Sequence, residues 1–277
     1  TENHGPHACS GEDTFLVTRI AELVAQRTGC TVAEPMWYGS HPFHHLGMPG
    51  TIVVPEEVFV DYIRALIAGF WNQGFRKQIL LSGHAQDYAI PVAIHQWGKK
   101  YQVPALLINV NWWPIIKPHI RTKEHGGPFD TVFVHADECE TSYSLALFPE
   151  MIRMQDAVDT EGGVFLPPGH IDAAATAYGR PIGVLQHVGA GPIEVIATPE
   201  GVVGSATLAD PAKAKPGLVA ILDYLEKLVN DIMATYPAGV LPPADKLTQR
   251  PQAEIEALLK GPLAPGGRHI YTVAYPP

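Results

Sequence analysis

The chain of 277 residues is 46% hydrophobic and 17% charged, enough to bury a substantial core as one large domain or two small ones. Acidic residues outnumber basic ones 28 to 19, giving a net charge of −9, and no Lys/Arg cluster is present to neutralise a run of phosphates, so nucleic acid is not an expected partner. No apolar run approaches the ~20 residues that a bilayer-spanning helix requires, so no membrane role is expected either.

The chain opens on a polar segment that carries Glu2, His4, His7 and Asp13. Carboxylates and imidazoles hold zinc or manganese while leaving a position open for water, so the segment has the character of part of a divalent-metal site. A strand is expected to lead into such a loop, so the chain is expected either to have further residues before Thr1 or to be cut there. Residues 13–27 place Phe15, Ile20, Leu23 and Val24 at near-helical spacing, with Gly29 as a stop signal. Residues 31–36 are short and β-leaning. The stretch 37–50 is a loop crowded with His41, His44, His45 and glycines, as suits the rim of a site. Pro55 followed by Glu56 and Glu57 opens a second helix, because acids in a first turn complement the helix dipole, and its apolar residues run on to Gly74.

Residues 78–82 form a brief apolar run ending at Gly83-His84. A helical stretch follows over 90–100, and 103–110 and 131–134 are two further strand-like runs. Apolar runs alternating with amphipathic helices predict an α/β fold whose mainly parallel sheet is covered on both faces. Ligands gather at the carboxyl ends of such strands. His84, Asn111-Trp112-Trp113 and His135 each end a run, so they can converge although they lie far apart in sequence. Beyond residue 154 the pattern weakens, with a β-like piece at 193–197, an amphipathic helix over 215–236 and a short helix over 252–260. One domain over 1–236, with an extension over 237–277 packed on it, is the simplest organisation. Cys9, Cys30 and Cys139 are odd in number and lack a CxxC pair, which suggests neither a disulfide framework nor a thiolate zinc site, and the cytoplasm is the expected compartment.

Four blocks in order carry a likeness: Glu2-Asn3-His4-Gly5 with Asp13; Met48-Pro49-Gly50-Thr51; Leu81-Ser82-Gly83-His84; and residues 135–142 followed by Leu145-Ala146-Leu147-Phe148-Pro149. Together they resemble the creatininase family of metal-dependent amidohydrolases. The resemblance implies a three-layer αβα fold, two adjacent divalent ions (zinc and/or manganese), a bridging Asp and water, and a homo-oligomer that is often a hexamer. By position it implies Glu2, His4, Asp13 and His84 as metal ligands, with Asp13 as the bridge. A fifth ligand falls on Glu140, with Glu138 and Gln86 as alternatives. Gln86 stands where creatininase itself has a glutamate.

His135 matches the histidine that handles protons in that family, and Glu124-His125 offers a rival proton carrier. Trp113 matches an aromatic placed against substrate, and Trp112, Gln86 and His45 are further candidates for substrate contact. Each has a plainer reading: Glu140 as a first-turn acid, the tryptophans as core, and His41, His44 and His45 as a solvated rim.

A metal pair of this kind suits hydrolysis of a small polar cyclic carbonyl compound. With a nitrogen leaving group the reaction opens a cyclic amide such as creatinine. With a carbon leaving group it cleaves a 1,3-diketone, because the departing electron pair is delocalised onto the second carbonyl. Gln86, Asn111 and the loop 41–47 supply neutral hydrogen-bonding groups that suit a polyhydroxylated substrate. The chain looks like the branch of the family that hydrolyses a diketo-inositol, 3-dehydro-scyllo-inosose, to a keto-sugar acid. A non-catalytic metal-binding subunit that keeps the fold is the reading from a different class.

Overall fold

Helix α1 (Glu12–Thr28) forms where its pattern predicts. Glu12 and Asp13 face the positive end of its dipole, Arg27 lies in its last turn, and Gly29 closes it at φ 74° with its N–H on the Ala25 carbonyl at 2.7 Å. These elements come from a computed structural model, which describes residues 1–40, 48–84, 88–161, 198–244 and 248–274. The chain divides into two units: Thr1–Val54, Gly83–Ala85 and Asn111–Asn230 make the first, and Pro55–Ser82, Gln86–Val110 and Asp231–Pro277 the second.

In the first unit α1 buries Leu16, Ile20 and Val24 along one stripe and packs against α5 (Glu138–Leu147). Helix α5 is buried from Glu138 to Ser144, so its polar groups need internal partners. Asp137 caps it by accepting from the Cys139 and Glu140 N–H groups at 2.8 and 3.1 Å, and the Ser142 hydroxyl donates to the Glu138 carbonyl at 2.5 Å. The short helix α4 (Trp112–Ile115) carries the fully buried Trp112. Strands β3 (Asp159–Thr160) and β4 (Gly204–Ser205) pair antiparallel, Asp159 opposite Ser205. Helix α6 (Pro211–Thr235), which belongs to this unit as far as Asn230, begins one turn before the expected residue 215. Asp210 accepts from the Ala212 N–H at 2.8 Å there, and Pro216, which reads as a helix start, lies inside.

The second unit contains α2 (Glu56–Asn72), β1 (Lys77–Ser82), α3 (Ala89–Tyr101), the greater part of β2 (Leu106–Asn111) and α7 (Gln252–Lys260). Strands β1 and β2 are hydrogen-bonded neighbours joined through α3, the crossover that a parallel pair requires. Helix α2 packs on α3, burying Ile63, Ile67 and Trp71 on one side and Ile90, Ala93 and Trp97 on the other. The Trp71 indole N–H donates to the Pro104 carbonyl at 2.8 Å. Among the described residues no helix is long and apolar enough to cross a membrane.

Two strand expectations fail for identifiable reasons. Residues 131–134 form no strand, because the Thr131 N–H donates to Glu138 at 2.8 Å and the Val134 N–H to Asp137, so side-chain carboxylates take the place of a neighbouring strand. Residues 31–36 are largely exposed and unpaired in any ladder, and only Gly39 makes an isolated parallel bridge, to Val53. The β-like piece at 193–197 lies outside the described residues.

Candidate metal centre

The N-terminal segment, the start of α1, the residues after β1 and the start of α5 bring six predicted site residues together, all within the first unit. Three groups of potential ligand atoms lie within 4.8 Å of one another: Glu2, Asp13 and His84; His4, Asp13 and Glu140; and Glu2, His4 and His135. Asp13 belongs to the first two, and it divides its oxygens between them. Its Oδ2 is 2.9 Å from His84 Nδ1, and its Oδ1 is 3.5 Å from His4 Nε2. Glu2 Oε2 approaches His84 Nδ1 at 2.8 Å, and Glu140 Oε2 lies 3.8 Å from His4 Nε2.

Local packing makes this convergence possible. Gly83 has no Cβ, and one built there would come within 2.5 Å of the Asp13 carbonyl oxygen, so only glycine lets His84 approach the start of α1 so closely. The carbonyls of Gly83 and His84 accept from the Trp112 indole at 3.2 Å and the Asn111 amide at 3.3 Å. Ala136 holds the left-handed conformation at φ 49°, and its N–H donates to Glu140 Oε2 at 2.5 Å. A non-glycine residue in that conformation costs about 1–2 kcal/mol, strain that sits here beside the site.

The electrostatics match a cation site. Burial disfavours a charged His84, but Glu2 and Asp13 outweigh it and push the imidazole up to about 10. His4 is raised in the same way, burial being overcome by Asp13 and Glu12. Burial would raise Asp13, yet His4 and His84 hold it well below the usual carboxylate range, whereas burial does lift Glu140. His4 Nε2 is buried with no hydrogen-bond partner, and the acids near it stand at 3.5 and 3.8 Å. Three carboxylates and three imidazoles closed in this way fit a divalent ion of the zinc or manganese type, which takes both donor kinds.

Glu138 and Glu140 are separated by their partners. The Glu138 carboxylate accepts from the Asp130 and Thr131 N–H groups, the Thr131 hydroxyl and Lys213 Nζ, the last at 2.5 Å, and it belongs to none of the ligand groups. His135 donates from Nε2 to the Asn3 carbonyl at 2.7 Å, and its Nδ1 lies 3.5 Å from Glu2 and 3.9 Å from Glu140. The rival His125 is engaged with the Thr122 hydroxyl at 2.9 Å and joins no group.

Trp112 is fully buried and stands behind His84 as a core residue. Trp113 is half-buried and meets Trp112 and Phe133 edge-on at 5.9 and 6.2 Å. Gln86, His45 and the other histidines of the rim loop, His41 and His44, lie outside the described residues. His7 stays out of the ligand groups. It faces the Thr141 hydroxyl at 3.0 Å, and burial, helped by His4, lowers it to about 4. Glu12 escapes a reading of the sequence altogether: it is a buried acid bonded to Ser144, a partner 132 residues away that no local pattern announces.

The sequence matches the family model of creatininase, described as creatinine amidohydrolase, over residues 1–229. It is 63% identical over 272 residues to the 3-dehydro-scyllo-inosose hydrolase of Thermotoga maritima, covering 98% of this chain and 88% of that protein. Among solved structures the fold is similar to a manganese creatininase, with a TM-score of 0.65 at 20% identity over 85% of this chain and 88% of that one. A zinc–zinc form of a mutant creatininase gives 0.63 at 21% identity, over 85% and 87%.

Proposed function

The chain belongs to the creatininase family, and from that membership and the paired ligand groups we propose that it is a metal-dependent hydrolase. The substrate we assign is the diketo-inositol 3-dehydro-scyllo-inosose, opened by carbon–carbon hydrolysis to a keto-sugar acid. The 63% identity to an enzyme named for that compound supports the assignment. The observation that carries the metal chemistry is Asp13, common to two ligand groups and offering one carboxylate oxygen to each.

In this reading Glu2, Asp13 and His84 would hold one divalent ion, and His4, Asp13 and Glu140 the other. Bound zinc or manganese supplies acidity to a water and polarisation to a carbonyl. The chain's own groups do the rest. Asp13 and Glu140, with Glu2, would supply the negative charge that offsets the bound cations. His135 takes a proton from the attacking water at the ring nitrogen facing the site and returns it to the departing carbon. Water adds to one carbonyl carbon, the bond to the carbon between the two carbonyls breaks, and its electron pair passes onto the second carbonyl until that carbon is protonated. Trp113, with Gln86 and His45, is assigned to the substrate side, where neutral groups suit a polyhydroxylated ring.

The test is a metal analysis followed by an assay of the purified protein against the diketone and against creatinine. About two ions per chain and turnover of the diketone are expected. Turnover of creatinine alone overturns the carbon–carbon reading in favour of a cyclic amide hydrolase. A fully loaded protein inert to both points to a metal-binding subunit. In Asp13→Asn both metal content and turnover are expected to fall, turnover by more than about 100-fold.

A further inference from the structure

The block Met48-Pro49-Gly50-Thr51 runs through the sequence likeness, yet none of its residues belongs to a ligand group. Its position explains it. The Asn3 N–H donates to the Thr51 hydroxyl at 3.0 Å, and the Asn3 side-chain amide donates to the Pro49 carbonyl at 2.7 Å while its oxygen accepts from the Gly5 N–H at 2.8 Å. On the other side lies Gly201, at φ +72°, where a Cβ would overlap the Asn3 side-chain amide. Asn3 is thus gripped by its own loop, by the 48–51 block and by the segment around Gly201.

What is gripped is the carbonyl that meets His135. The Asn3 oxygen lies 2.7 Å from His135 Nε2. A carbonyl only accepts, so Nε2 must carry the hydrogen, and in the neutral ring Nδ1 is then the bare nitrogen. Nδ1 is the atom turned toward Glu2 and Glu140. The main chain of His135 is held from the same direction. It exchanges hydrogen bonds with Val203 at 2.9 and 3.4 Å, two residues beyond the glycine that packs on Asn3.

We propose that Asn3 is a positioning residue for His135: clamped by Thr51, Pro49 and Gly201, its main-chain carbonyl selects the imidazole tautomer whose Nδ1 faces the site. The residue between two ligands thereby sets the proton geometry of a third side chain 132 positions away. A second partner that fixes tautomer and ring orientation is how histidines are set at metal and acid–base sites in general. Only the kinetic consequence rests on the hydrolytic reading above; the tautomer does not.

The experiment uses zinc-loaded protein labelled with 15N-histidine, in which long-range proton–nitrogen correlations report the tautomer of each ring. The His135 signals are assigned by their loss in His135→Gln. Wild type is expected to show the Nε2–H form. Thr51→Val keeps the shape but removes the acceptor for the Asn3 N–H, and Gly201→Ala pushes on the Asn3 side chain. Both are expected to give mixed tautomers with zinc content unchanged, and Thr51→Ser restores the wild-type spectrum. On the diketone, kcat falls about tenfold in Thr51→Val while KM stays within about twofold, a loss of proton transfer and not of binding. An Nδ1–H form in wild type overturns the proposal whether or not any variant folds. So does a Thr51→Val protein whose tautomer and kcat match wild type. If the tautomers behave as stated but the diketone is not turned over, the substrate assignment falls and the positioning role stands.

Discussion

Protons compete with any incoming cation for the ring nitrogens of His4 and His84, and His84 shows the consequence most clearly. Glu2 and Asp13 approach its Nδ1 at 2.8 and 2.9 Å and lift it to about 10 against the opposing effect of burial. In metal-free protein the folded state therefore binds a proton that the unfolded chain releases near pH ~6.5. That contribution to stability is fully present below the unfolded value and is lost as pH rises through about 10. A ligating histidine has no such proton to lose, since binding a metal already requires the neutral ring. Urea melts at pH 6.5 and pH 10 are expected to show a marked loss of stability with pH for chelated protein and a smaller one for zinc-loaded protein; equal losses would mean that His84 holds no proton when metal is removed. At this scale residue type was readable in advance, because acids and imidazoles in a short polar segment suit few other purposes. The resemblance favours Glu140 over Glu138, but residue type alone does not separate them, since that depends on Lys213, 75 residues away, meeting one of them.

Helix α5 is where that choice is made, and its neighbour α6 supplies the means. Lys213, in the first turn of α6, reaches the wholly buried Glu138 at 2.5 Å and Asp130 at 3.0 Å. Removing the cation leaves a buried carboxylate without its counter-charge, which costs about 3 kcal/mol, so Lys213→Met should lower the urea midpoint substantially. Adding Glu138→Gln should recover part of the loss, because a neutral amide needs no counter-ion. A few residues further on, Gly217 lies where a Cβ would overlap the Tyr143 hydroxyl of α5. Replacing a mid-helix glycine by alanine ordinarily stabilises by about 1 kcal/mol. Here the overlap reverses the sign, and Gly217→Ala is expected to destabilise by about 1–3 kcal/mol. Tyr143→Phe in the same background should return it toward the ordinary gain, as thermal melts of the four combinations would reveal. Helices of this kind are legible in sequence because one buried stripe imposes a local period. Residues 131–134 misled for the converse reason: an apolar run looks like a strand, but its N–H groups are taken by Asp137 and Glu138.

The alternation of apolar runs and helices pointed to an α/β chain, and the family's fold bears that out. The partition of the chain into two units was not visible, because a hydrophobic period shows that a face is buried without showing which distant segment covers it. That partition has a consequence for the metal. Each residue of the three ligand groups belongs to the first unit. The second has its own fastenings: α2 on α3, and a buried Arg250 that donates to the Lys100, Tyr101 and Ala274 carbonyls at 2.7, 2.7 and 3.0 Å and to Glu254 at 2.7 Å. A ligand held only by the folded form stabilises by about 4 kcal/mol at a thousandfold excess over its Kd, and the gain goes to whatever must unfold to release it. Hydrogen exchange with and without chelator is therefore expected to show protection lost in α1 and α5 on metal removal, while α2, α3 and α7 exchange at unchanged rates. If α2 and α3 lose protection to the same extent as α1, the two units open as one cooperative body and the metal stabilises the whole chain.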